Sequence, residues 1–280
     1  MYKGPFTVAR ICAEKIFGKL SLYRATGLIC VTREIANYEL GRVQKAVSRI
    51  HIYPNGLVFK EGENKVAEQS EGAVVASMRC NHSLQLDNTR IKSVRSEEKI
   101  TAGLRCKPIE LLFVASLFIE WHGLDKLIEA AIVSDKLFVI HVVGEVGDAD
   151  LHAKAKACAK ILLHGNLSHT QISELEKQCD VGLGSFALER KGMVEACPLK
   201  VRGYLAAGLP VYAGHADVFP DNFRFYKAGP CNIDNIIDFA EITMTSSKQE
   251  VSQMSRQYID KKVILAELYR FLESQESSAQ

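Results

Sequence analysis

From Ile109 onward the chain repeats one pattern: a short apolar run, a turn, then apolar residues at helical spacing. Glu110–Ser116 (ELLFVAS), Phe138–Val143 (FVIHVV), Lys160–His164 and Val181–Gly184 read as strands. Leu124–Val133, Leu151–Ala159 and Ser168–Cys179 read as the helices between them. Strands that are apolar throughout are buried on both faces, and their alternation with helices dictates a parallel, doubly wound α/β sheet with right-handed crossovers. Ligands of such sheets sit outside the carboxyl ends of the strands. Four loops are therefore candidates: Ser116–Gly123, Gly144–Asp148, His164–Ser168 and Ser185–Pro198.

The last loop leads into Glu195–Tyr212, EACPLKVRGYLAAGLPVY. Pro198 suits a first helical residue, because its missing N–H is one that a helix start does not use. Leu199, Val201, Tyr204, Leu205 and Ala206 follow a helical apolar pattern, Gly208 and Pro210 stop it, and Val211–Ala213 starts a strand. The segment thus presents Glu195 just ahead of a helix N-terminus, whose free N–H groups at Leu199 and Lys200 favour a phosphate.

The run P-L-K-x-x-x-Y-L-A-A-G-L-P-V resembles the donor-binding segment of GT-B glycosyltransferases, above all glycosyltransferase family 4 of the bacterial surface-polysaccharide type. That family carries two glutamates in this segment. Glu195 falls on the first, which contacts the donor sugar; Gly203 stands where the second, which contacts the ribose, is expected. F-V-A-S-x-x-x-x-W-H-G-L-D-K-L-I is similar to the family's strand, loop and helix, but Ala115-Ser116 and His122-Gly123 replace its two basic diphosphate-binding pairs. His122 either faces a phosphate or packs beside Trp121. H-G-N-L-S-H-T-Q-I-S-E-L resembles the segment whose backbone contacts the nucleotide base, although Ser168 and Gln171 also make a capping box on their own. The resemblance implies Glu195 and Lys200 as catalytic residues. Lys200 would neutralise the leaving diphosphate. Ser116, His122, Gly144, His164, Gly165, Arg190, Pro198 and Leu199 are implied as donor-binding. No cofactor and no metal are expected.

Toward the N-terminus, apolar spacing in Phe6–Leu22 predicts a helix. Gly27–Thr32 and Arg49–Tyr53 read as strands flanking a polar helix at Arg33–Val47, and Pro54-Asn55-Gly56 as a turn. L-I-C-V-T-R-E-I and I-Y-P-N-G are similar to the end of a GT-B N-terminal domain, which normally follows a longer acceptor-binding portion. The fold expected is a GT-B-type Rossmann-like donor domain with a parallel sheet, plus a partial second Rossmann-like domain. Its expected boundaries are 1–58 for the partial N-terminal domain, 59–107 for an insertion, 108–235 for the donor domain and 236–280 for C-terminal helices.

Composition narrows the function classes. A net charge of +2 argues against nucleic-acid binding by bulk charge. The eight cysteines form no C-x-x-C pair, which fits reduced thiols in a cytosolic compartment rather than a disulfide scaffold. There is no bilayer-length apolar run and no apolar secretory core. No G-x-G-x-x-G opens a helix, so a dinucleotide dehydrogenase is disfavoured. The expectation is a metal-independent, retaining hexosyltransferase of polysaccharide biosynthesis, cytoplasmic or peripheral at the inner membrane face. Its partners would be a nucleotide-sugar and a glycan or lipid-linked acceptor. A partner chain or second copy would cover the short N-terminal half. A non-catalytic or partner-dependent nucleotide-sugar-binding subunit is the alternative.

Overall fold

A computed structural model describes residues 16–25, 27–43, 49–59 and 107–276. Most of the expected insertion, the start of the first expected helix and the C-terminal end lie outside the described residues.

Six strands form one sheet: β3 (Ile109–Phe118), β4 (Phe138–Val146), β5 (Ile161–Gly165), β6 (Val181–Leu183), β7 (Val211–Ala213) and β8 (Tyr226–Ala228). Their order is β5-β4-β3-β6-β7-β8, and every neighbouring pair is parallel. The chain starts in the middle at β3, winds out to β5, then returns to lay β6 against the other side of β3. Flanking crossovers diverge at that switch point and leave a crevice at the strand ends.

Helices cover both faces. Leu111 and Phe113 of β3 join a core with α3 (Leu124–Val133) and α7 (Ile233–Thr243), while the intervening Leu112 faces a core with α6 (Leu199–Ala206) and α8 (Lys248–Ile259). The pleat of one buried strand thus supplies both layers. Helix α4 (Ala149–Ala157) and helix α5 (His169–Gln178) complete the crossovers. Tyr204 of α6 packs where a Cβ at Gly182 would lie 2.5 Å from its ring, and its hydroxyl accepts the Val114 N–H at 2.8 Å.

At the N-terminus, α1 (residues 16–24) precedes a parallel pair, β1 (Leu28–Cys30) and β2 (Ile50–Ile52), joined through α2 (Arg33–Val43). The C-terminal helix α9 (Lys261–Glu276) returns to this unit. Leu57 donates to the Ile259 carbonyl and accepts from the Lys261 N–H, both at 2.8 Å, and His51 stacks on Phe271 at 4.9 Å.

Two expectations are corrected here. Strands β3 and β4 run past their expected ends, and Gly144 lies inside β4. The β3–β4 register shifts between Val114 and Leu117, and a Cβ on Gly144 would stand 1.6 Å from the Ala115 carbonyl oxygen. The neighbouring strand leaves no room for a side chain at Gly144, so this glycine is required by strand packing. Pro198 is the residue before α6 rather than its first helical residue, with φ −77° and ψ 144°.

Candidate functional site

The crevice between β3 and β6 is walled by loops that hold one another through backbone hydrogen bonds. The Phe186 N–H donates to the His122 carbonyl at 2.9 Å, and the Gly214 N–H to the Ser185 carbonyl at 2.9 Å. The Ala196 N–H donates to the Ala216 carbonyl and the Ala216 N–H to the Val194 carbonyl, both at 3.0 Å. The loops after β3, β6 and β7 and the loop carrying Glu195 are therefore one rigid rim. Gly123 is required at φ +72°, where a Cβ would sit 3.0 Å from the backbone of Phe186 and Ala187.

Three nitrogen-bearing side chains interact across this rim. The Lys200 ammonium is buried, has no hydrogen-bond partner, and lies 5.1 Å from the centre of the Phe113 ring. Burial pushes its pKa down to about 8. His122 accepts the Ile119 N–H on Nδ1 at 3.1 Å, so Nε2 carries its hydrogen. Burial first, then the charges of Lys200 and Lys191, push His122 down to about 4. His215 is 3% exposed and its Nε2 has no partner. Burial is also the main cause of its lowered pKa, with Lys200 and Arg202 adding to it and the Ala216 carbonyl and Asp217 opposing. Sequence reasoning missed His215. The usable signal was its place at the carboxyl end of β7, in a strand-end loop that was not counted.

Glu195 stands at the mouth of the crevice in a reciprocal clasp with α2. Its Oε2 accepts the Glu34 N–H at 2.8 Å, while Glu34 Oε2 accepts the Glu195 N–H at 2.7 Å and the Val194 N–H at 3.0 Å. Glu34 lies in the first turn of α2, where free N–H groups and the helix dipole attract a carboxylate. Behind the loop, Arg202 is fully buried between both Asp217 oxygens, at 2.5 and 2.6 Å, and donates from Nε to the Asn55 carbonyl at 3.1 Å.

Lys200 thus interacts with His122 through charge, and Glu195, Pro198 and Leu199 lead into the helix that carries Lys200. Other expected site residues have other surroundings. Ser116 is exposed on the β3 bulge. Arg190 forks onto Asp125 at 2.6 and 3.0 Å and donates to the Glu120 carbonyl at 2.8 Å. It lines a separate cleft of about 730 Å³ with Trp121 and Asp148. His164 is tied into the sheet: its Nε2 is 2.9 Å from His141 Nδ1, and His141 Nε2 is 2.9 Å from the buried Glu110 carboxylate. Burial, then His141, push His164 down to about 4. The next residue, Gly165, turns the chain at φ +64° with open space around it. Among the described residues, no group of three or more His, Cys, Asp or Glu side chains is placed to hold a metal ion.

No family model and no curated protein sequence matches the chain. Solved structures do. They include a glycosyltransferase from Rickettsia africae, at 15% identity and a TM-score of 0.55, covering 98% of this chain and 68% of that one. HepE from Anabaena, solved with UDP and glucose, gives 15% and 0.56, with 93% and 66% covered. The lipopolysaccharide outer core galactosyltransferase WaaB gives 10% and 0.55, with 88% and 61% covered. The fold is that of the GT-B glycosyltransferases. The chain spans about two thirds of the length of these GT-B structures. None of its described helices is long and apolar enough to cross a membrane.

Proposed function

We propose that the β3–β6 crevice binds a nucleoside-diphosphate sugar and that the chain takes part in moving its sugar to a glycan or lipid-linked acceptor. One observation carries this reading: the buried, unpaired Lys200 ammonium in the first turn of α6, at the switch point of the sheet. A cation withdrawn from water without a counter-ion is unfavourable unless a ligand supplies the anion. When the bond from the sugar C1 to the phosphate oxygen breaks, negative charge develops on the departing diphosphate. Lys200 and the N–H groups at the start of α6 would stabilise that charge without moving. Glu195 Oε2 is occupied by the Glu34 N–H, which leaves Oε1 for a sugar hydroxyl. Retention at C1, metal independence and a role in surface-glycan synthesis at the cytoplasmic membrane face follow from the resemblance. Among the structural neighbours, WaaB is by its name a lipopolysaccharide galactosyltransferase, which is in keeping with a surface-glycan role.

The test is calorimetry with UDP and GDP, followed by a donor-consumption assay on the wild type and Glu195→Ala. The variant should keep its fold, because a loop carboxylate away from the core contributes little stability, and should lose donor affinity or turnover. Unchanged affinity and turnover would remove Glu195 from the site, and no heat with either nucleotide would sink the donor reading. A second reading, a donor-binding subunit that needs a partner for transfer, is favoured by Gly203 at the place of the second glutamate. It predicts nucleotide binding without turnover by the chain alone.

A further inference from the structure

His215 is held in one tautomer. The Ala216 carbonyl oxygen lies 3.0 Å from Nδ1, and a carbonyl can only accept, so Nδ1 carries the hydrogen. The Tyr226 hydroxyl donates to the carbonyl of His215 itself at 2.6 Å and stands 3.3 Å from Nδ1, where it too can accept. In the neutral ring Nε2 is then a bare lone pair, buried and without a partner. It lies 3.4 Å from where a Cβ on Gly184 would be, so the glycine at the end of β6 leaves this edge of the ring uncovered. The Lys200 ammonium is a second buried polar atom without a partner. Buried polar groups are almost always paired, and two orphans on electrostatically interacting side chains are accounted for together by a ligand that meets both.

We propose that His215 Nε2 and the Lys200 ammonium contact the same phosphate group, and that the phosphate enters together with one proton taken from solvent. The reason is geometric. Lys200 can donate as it stands, and His122 can also donate, because its Nδ1 accepts from Ile119 and Nε2 bears the hydrogen. His215 must gain a hydrogen on Nε2 before it can donate to a phosphoryl oxygen. The surroundings do not supply that charge in advance. Asp217 is spent on Arg202 through two hydrogen bonds, and the charges of Lys200 and Arg202 oppose protonation of His215. Lys200 meets His122 and His215, and His122 also meets Lys191. These neighbouring charges keep both imidazoles neutral, and an oxyanion would favour their protonation. No covalent step is involved.

This inference rests on the reading that the crevice receives a diphosphate, and its test separates the two. Inorganic pyrophosphate and UDP are titrated into the full chain by calorimetry, in buffers of different ionisation enthalpy, at about pH 7 and about pH 8.5. At the lower pH, Lys200 is already charged, so the part of the uptake that is lost in His215→Gln, after correction for the ligand's own ionisation, belongs to His215. The affinity should rise by up to about tenfold for each pH unit lowered through the range where His215 titrates. His215→Gln, whose amide donates without protonation, should keep binding but flatten the pH slope and abolish the uptake at the lower pH. His215→Leu should lose about tenfold or more in affinity. Binding of pyrophosphate without proton uptake, or an unchanged slope in His215→Gln, overturns the inference while leaving the donor reading intact. Proton-linked binding of pyrophosphate with no binding of UDP and no sugar transfer supports the inference and overturns the donor reading. No binding of pyrophosphate overturns the inference outright.

Discussion

Replacing Lys200 with methionine should stabilise the ligand-free protein while removing nucleotide binding. The magnitude follows from the burial of one charge. Burial moves the Lys200 pKa from 10.5 to about 8. At 1.36 kcal/mol per unit, the folded state disfavours the charged form by about 3 kcal/mol. The contact with the Phe113 ring returns ~1 kcal/mol of this, and methionine fills a similar volume without the charge. A net gain of about 2 kcal/mol is expected at pH 7, worth about 4–8 °C in Tm for a domain of this size. The sign fixes a pH signature. A lysine whose folded pKa is lowered is destabilising in full below the folded value, and the penalty disappears as pH rises to the unfolded value. The advantage of Lys200→Met should therefore hold below about pH 8 and vanish near pH 10.5. Thermal unfolding of both proteins across that range, with and without UDP, measures all of this. A variant no more stable than the wild type at neutral pH, or an advantage that does not shrink with rising pH, refutes the idea that an unpaired buried charge is held there for a ligand.

Two further predictions concern the same segment. Nothing lies within 4 Å of a Cβ added to Gly203, so Gly203→Glu has room. Removing glycine from a helix interior should add up to about 1 kcal/mol of stability, and a glutamate at the ribose position implied by the family should tighten UDP binding; a lower Tm with unchanged affinity would count against both. Glu34→Ala removes the carboxylate that accepts the Val194 and Glu195 N–H groups. Amide exchange at those two positions should accelerate by about tenfold or more, and unaltered exchange would show that the clasp does not hold the loop.

The sheet was legible because its signal is local. Helix α3 falls at Leu124–Val133, where its apolar spacing predicts it, and the buried runs of β3 and β4 were identified by hydrophobicity alone. Strand β8, Tyr226-Lys227-Ala228, was not, because a short, largely exposed edge strand carries no apolar run. The surroundings of site residues were harder, since each depends on a partner distant in sequence. Arg190 reads as a free cation until Asp125 is brought beside it. His164 reads as a loop residue until β4 places His141 against it. Gly144 reads as a ligand-approach glycine until Ala115 fills the space. Arg202 follows Lys200 in the same helix and is fully buried because Asp217, fifteen residues on, neutralises it.

Arg202 also shows why the short N-terminal half matters to the site. Its Nε donates to the Asn55 carbonyl in the P-N-G turn, and that turn holds the start of α6 as well: Asn55 Nδ2 donates to the Cys197 carbonyl at 2.6 Å, and the Asn55 N–H meets Cys197 Sγ at 3.1 Å. On the opposite side, Glu34 holds Val194 and Glu195. The segment from Val194 to Arg202, which carries both Glu195 and Lys200, is thus pinned at each end by residues of the N-terminal elements. A buried guanidinium that loses one partner is strongly destabilising, because the remaining charge stays desolvated. Displacement of α2 and the P-N-G turn would therefore release Glu195 from the clasp and loosen the first turn of α6 in the same movement. The N-terminal elements act on the segment carrying Glu195 and Lys200 through these two anchors.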